Sequence, residues 1–186
     1  MRGFGLRASG FGLLFVGCLP DDVGEGGVPT DDTAGEADAD TDADADADAD
    51  ADPTGSIVGD WVSEGEDISD LFADEPFSLV RIDATFEADG TYRVDVENAD
   101  GANASFAGTY VTGTSTTPAT ITLTQTVPSN ATATGIYEVD GDTMTYEVVQ
   151  TVPDYGYTPP TPESGFGTTG GPDMTAGINV QIYVRD

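Results

Sequence analysis

The chain has 186 residues, with 35 acidic side chains against 5 arginines, no lysine and no histidine, for a formal net charge of −30. That balance excludes nucleic acid and anionic membrane surfaces as electrostatic partners, because both need basic patches to contact phosphates, and it leaves cationic partners open. Without imidazole and with one cysteine, Cys18, the chain cannot build a Ser-His-Asp or Cys-His nucleophile, a histidine-based zinc site or an intramolecular disulfide.

Residues 1–17, MRGFGLRASGFGLLFVG, place Arg2 and Arg7 ahead of an apolar stretch from Phe11 to Val16 that ends in the small residue Gly17. This is the pattern of a secretory signal peptide, and the apolar run is much shorter than the roughly 20 residues a membrane-spanning helix needs. The run Phe15-Val16-Gly17-Cys18 resembles the lipobox of bacterial lipoproteins, with phenylalanine where leucine is usual. That resemblance implies cleavage before Cys18 and acylation of Cys18 by fatty chains of the palmitate kind. Two or more such chains anchor stably, at about 0.8 kcal/mol per buried methylene. Leu19 rather than aspartate follows Cys18, and the resemblance then implies the outer membrane, with the protein facing the periplasm or the cell surface.

Between Cys18 and Thr54 the chain is mostly Asp, Ala, Gly, Thr and Pro, with an Asp-Ala alternation from Asp38 to Asp52. Such a segment buries too little apolar surface to fold. Alternate aspartates in extended chain lie roughly 7 Å apart, inside the roughly 8 Å Debye length, so the segment repels itself and extends up to ~120 Å. Asp-x-Asp-x-Asp also begins calcium loops, but the turn glycine and the closing glutamate of such loops are missing. The expectation is a solvated tether over 18–54.

From Gly55 onward the texture is that of β-sheet, with short β-branched and aromatic runs alternating with polar residues between turn signals. Strands are expected at Ile57–Ser63, Phe77–Glu87 (Val80, Ile82, Ala84 and Phe86 on one face), Thr91–Glu97 (Tyr92, Val94 and Val96 inward) and Ser105–Thr112 (Phe106, Gly108, Tyr110). Four more follow at Ala119–Thr126 (Ile121, Leu123), Thr134–Asp140 (Tyr137, Val139), Thr143–Thr151 (Met144, Tyr146, Val148) and Ile178–Arg185 (Ile178, Val180, Ile182 and Val184 on one face). Asp89-Gly90, Asp100-Gly101 and Asp140-Gly141-Asp142 mark hairpins. Ser63-x-x-Glu66 resembles a capping box, and the spacing of Ile68, Leu71 and Phe72 predicts a short lid helix after the first strand.

Eight strands joined mostly by short hairpins predict an all-β fold, an eight-stranded antiparallel up-and-down barrel over 55–186, with a β-sandwich as the alternative. Gly59-x-Trp61 followed by a meander of glycine-bearing hairpins resembles the lipocalin-like domains of bacterial lipoproteins. That resemblance implies that Trp61 closes one barrel end and that Arg185, near the end of the last strand, packs across it.

A barrel of this size is either filled by its own side chains or holds one small ligand. Phe86, Tyr92, Phe106, Tyr110, Tyr137 and Tyr146 fall on the inward phase, and they either fill the core or line a ligand cavity. The stretch Pro153–Gly177, with Tyr155 and Tyr157, is too long for a hairpin and is either a contact surface or a flexible excursion. No carboxylate pair, nucleophile, metal cluster or cofactor motif stands out, so no catalytic residue, metal or cofactor is expected. The expected function is a membrane-anchored monomer whose barrel binds a small hydrophobic molecule or lipid. The alternative is a non-catalytic envelope or cell-surface module that contacts another envelope protein.

Overall fold

The computed structural model describes residues 55–186. The expectations for the signal peptide, Cys18 and the tether fall on residues 1–54, outside the described residues. Eight strands, β1 (Gly59–Glu64), β2 (Leu79–Phe86), β3 (Thr91–Asn98), β4 (Asn103–Gly113), β5 (Ala119–Val127), β6 (Ala131–Asp140), β7 (Thr143–Val152) and β8 (Gln181–Arg185), follow one another around the sheet. Each pairs antiparallel with its neighbour in sequence, and β1 pairs with β8, so the sheet closes into an up-and-down barrel. Closure removes both exposed edges, which is how a small all-β domain avoids edge-to-edge association.

The alternation of side chains sets the core. Trp61 and Ser63 of β1, Ile82, Ala84 and Phe86 of β2, Tyr92 and Val96 of β3, and Phe106 of β4 are all buried. So are Ile121, Leu123 and Gln125 of β5, Ala133 and Tyr137 of β6, Met144 and Tyr146 of β7, and Gln181 and Tyr183 of β8. Gly135 on β6 has no room for a side chain, because a Cβ there would collide with the backbone of Glu147 and Val148 on β7. Strands approach this closely where small barrels bend.

Three local expectations are corrected. A register shift between Leu79 and Arg81 puts Leu79 into the core and leaves Val80 45% exposed, because the bulge inverts the phase at the start of β2. β8 begins at Gln181 and turns Gln181 and Tyr183 inward, while Val184 is 43% exposed, since pairing of Val62 with Val184 aligns that apolar row with the outside of β1. The capping box is absent: Ser63 belongs to β1, its hydroxyl accepts from Gln181 Nε2, and the turn that follows has no side-chain cap.

The lid is present, as one 3-10 turn (Gly65–Asp67) and one helical turn, α1 (Asp70–Ala73). It is tied to the barrel by Gln181, whose Oε1 accepts from Ser69 N at 3.1 Å and whose Nε2 donates to Asp67 O at 3.1 Å. Leu71 N also donates to Ile178 O at 2.9 Å. Ile68 of the lid joins the core cluster, with Phe72 and Phe77 packed against it.

Candidate functional site

Two places carry the chemistry the sequence singled out: the aromatic interior and the strap, residues 153–180 between β7 and β8. The interior is a continuous set of rings. Phe86 stacks on Tyr92 (centroids 6.3 Å apart), meets Tyr110 edge-on (5.2 Å) and contacts Tyr146 (6.4 Å), and Tyr146 meets Tyr183 edge-on (5.9 Å). Offset and edge-to-face contacts of this kind match the positive rim of one ring to the negative face of another. Phe106 and Tyr137 belong to the same buried cluster. The barrel thus brings together Phe86, Tyr92, Phe106, Tyr110, Tyr137 and Tyr146, along with Tyr183, which sequence reading left out because it put the opposite face of β8 forward.

Burial sets the electrostatics of these phenols. The Tyr92 hydroxyl is pushed up to about 12, and that of Tyr183 rises further, both through burial. Tyr146 is raised well above the ordinary tyrosine range, first by burial and then by its neighbours Tyr183 and Tyr92. At neutral pH all three are neutral groups that donate and accept hydrogen bonds without carrying charge. Tyr110 donates to Glu87 O at 2.8 Å, whereas the Tyr92 hydroxyl is buried with no hydrogen-bond partner.

One barrel end is closed by an arginine on a tryptophan. The Arg185 guanidinium lies 4.3 Å from the Trp61 ring centroid, and Trp61 Nε1 donates to Ile57 O at 2.8 Å. Arg185 Nη1 donates to Val58 O at 3.1 Å, and Asp142 Oδ1 lies 3.8 Å from its Nε. Gly59 is required beneath it: its φ is +134°, and a Cβ there would sit 2.5 Å from Arg185 Nη1. On the rim of the same end, a depression of about 170 Å³ is bordered by Thr114, Thr116, Ala119, Tyr137 and Val139. A second, of about 310 Å³, lies outside the β1–β8 seam against Val62, Glu64, Arg81 and Val184. Pockets for drug-sized ligands run from about 300 to 1,000 Å³ and bury most of the ligand, so the rim depression admits a small group at most.

The strap is ordered, and a residue that sequence reading passed over orders it. Glu147 stands on the outward phase of β7 yet is 0% exposed. Its Oε1 accepts from Thr169 N (3.0 Å) and Thr169 Oγ1 (2.6 Å), and its Oε2 accepts from Gly167 N (2.6 Å). Asn179 Nδ2 donates to Thr169 Oγ1 at 3.1 Å and to Val148 O at 3.3 Å. On the same outer face, beside Glu147, Ile136 of β6 and Val149 of β7 are 0% and 1% exposed. Tyr157 packs within the strap, in the place a side chain on Gly171 would need, and Tyr155 is 42% exposed. Neither joins the interior rings. The sequence signal for this covered face is the pair of adjacent apolar residues, Ile136-Tyr137 and Val148-Val149, which breaks the one-in, one-out alternation of a solvated barrel wall.

The described domain is a closed eight-stranded up-and-down β-barrel with one plugged end, one lidded end and an external strap. No family model, curated protein or solved structure matches the chain. Among the described residues no cluster of acidic and sulfur ligands is arranged to hold a metal ion.

Proposed function

We propose that the chain is a lipid-anchored, non-catalytic module of the bacterial cell envelope, in which a rigid barrel carried on an acidic tether presents its surface to a cationic envelope protein. The observation that carries this reading is the occupied interior: Trp61, Met144, Tyr146 and Tyr183 are buried among their own neighbours, which supports a scaffold over a container. Charge supports the partner's sign. Each arginine of the domain is engaged, Arg81 by Glu64 and Asp83, Arg93 by Asp95, and Arg185 by Trp61 and Asp142. The remaining surface is acidic, which steers basic partners and repels phosphate-bearing ones.

Metabolic labelling with a fatty-acid analogue, comparing wild type with Cys18→Ala, tests the anchor. Label on the wild type and none on the variant is the expected result; an unlabelled wild type sinks the anchor. Crosslinking on intact cells tests the contact, and recovery of no envelope protein counts against it.

A second reading, capture of a small hydrophobic molecule or lipid inside the barrel, is favoured by one observation, the buried and unpartnered Tyr92 hydroxyl. Buried polar groups ordinarily find a protein or water partner, and a ligand is another source of one. Native mass spectrometry of protein purified from its host separates the two readings: a co-purifying small molecule supports capture, and a bare chain supports the scaffold.

A further inference from the structure

The strap meets the barrel wall through very few groups, and they converge on one carboxylate. We infer that Glu147 is a latch: the strap is a preformed unit that closes over an apolar face of the wall, and the Glu147 carboxylate holds it shut.

The strap is organised without the barrel. Thr158 and Gly170 exchange two backbone hydrogen bonds, of 2.9 and 3.0 Å. The Ser164 hydroxyl contacts Thr161 and Thr168, and Thr168 Oγ1 donates to Gly165 O at 2.6 Å. Gly165, Gly167, Gly171 and Gly177 hold positive φ angles, so the path of the strap is written into its own turns. It lies on the wall without joining the barrel's ladder, because its one bridge, Thr158 with Gly170, is internal.

Three of the bonds from the strap to the wall end on Glu147, from Gly167 N, Thr169 N and Thr169 Oγ1. All three donors are neutral, and the domain's arginines are engaged elsewhere. Hydrogen bonds to a carboxylate are about twice as strong as neutral ones, and a buried carboxylate stripped of its donors is costly. The three bonds therefore fasten the strap to the wall through the Glu147 side chain. Beside Glu147 on this wall, its cross-strand partner Ile136 and Val149 two residues on are buried although they face outward, whereas the neighbouring outward positions Thr122 and Thr124 are exposed; the strap fastened at Glu147 accounts for the cover. Opening uncovers this pair, and closing hides it, while the interior of the barrel is untouched.

The test is hydrogen–deuterium exchange on the full chain, comparing wild type, Glu147→Gln and Thr169→Val. An amide at position 147 keeps one acceptor oxygen and turns an NH2 toward backbone N–H donors. In Glu147→Gln the amides of Gly167 and Thr169 are expected to exchange about ten- to a hundredfold faster, with the amides of β2 to β5 unchanged. Thr169→Val removes one of the three bonds and is expected to give a smaller acceleration at the same two amides. Equal acceleration across strap and barrel would show that Glu147 stabilises the whole domain and would overturn the latch, as would no acceleration in either variant. If Glu147→Gln does not fold, Thr169→Val alone decides, by whether its effect stays within the strap.

Discussion

Tyr92 concentrates the choice between scaffold and ligand carrier in one atom. Its ring is legible in the sequence as an inward residue of β3, and the structure stacks it on Phe86. What alternation cannot show is where the hydroxyl goes, because that depends on which groups of other strands face it. Here it makes no hydrogen bond. A buried hydroxyl without a partner costs about 1–3 kcal/mol, so removing it relieves a penalty. Tyr92→Phe is expected to leave the fold intact and to raise stability by up to ~1 kcal/mol, read from urea unfolding. A loss of stability in protein purified from its host would mean that the hydroxyl is satisfied by a bound molecule, as the capture reading requires. Glu147 teaches the converse: its carboxylate sits at a position that alternation sends to solvent, and only the strap, arriving from 20 and 22 residues further on, buries it.

Among the elements, the strands and the short lid were legible, and the resemblance already set Arg185 across Trp61, whereas the facing of β8 was not legible. Period-two alternation over β3 to β7 follows from residues paired with their immediate neighbours, so local sequence carries it. β8 is different. It is short, it is paired at only two registered positions with β1, and its inward face carries Gln181 in place of an apolar residue. An apolar row, Ile182 and Val184, pointed the sequence reading to the wrong face, because nothing local reports that Val62 lies alongside. Gln181 does the work of a cap, joining β8 to Ser63, Asp67 and Ser69. Gln181→Ala strands those three groups with one partner fewer each and is expected to cost about 2–4 kcal/mol. The accompanying sign is faster exchange of the Ser69 amide than of the β3–β4 amides; equal rates would mean that the lid is held by its apolar contacts alone.

For the whole molecule, the buried phenols define an alkaline limit. Tyr92, Tyr146 and Tyr183 have folded pKa values raised above the ordinary tyrosine value, so their neutral forms stabilise the fold fully below about pH 10. As pH rises past 10 the unfolded chain loses protons that the folded one keeps. Stability then falls by about 1.4 kcal/mol per pH unit for each such tyrosine, until the folded group itself ionises, about 12 for Tyr92. The expected outcome is cooperative unfolding above pH 10, with tyrosinate absorbance and loss of β-sheet circular dichroism rising together. In a Tyr155→Phe background, which removes the exposed strap phenol, tyrosinate appearing at pH 10 in a folded barrel would show that the cluster admits solvent. At the acid end Asp95, lowered chiefly by its hydrogen bond from Arg93, adds stability above about pH 4 that is lost as pH falls.

The amino-acid sequence by itself determined the classes of chemistry that are excluded, the acidic surface, the eight strands and most of the inward residues, because composition and nearest-neighbour pairing are local properties. Tertiary structure alone decided which rings touch, which face of β8 turns inward, and that three bonds from the strap end on Glu147, because each of these joins residues far apart in the chain through geometry that no local pattern records.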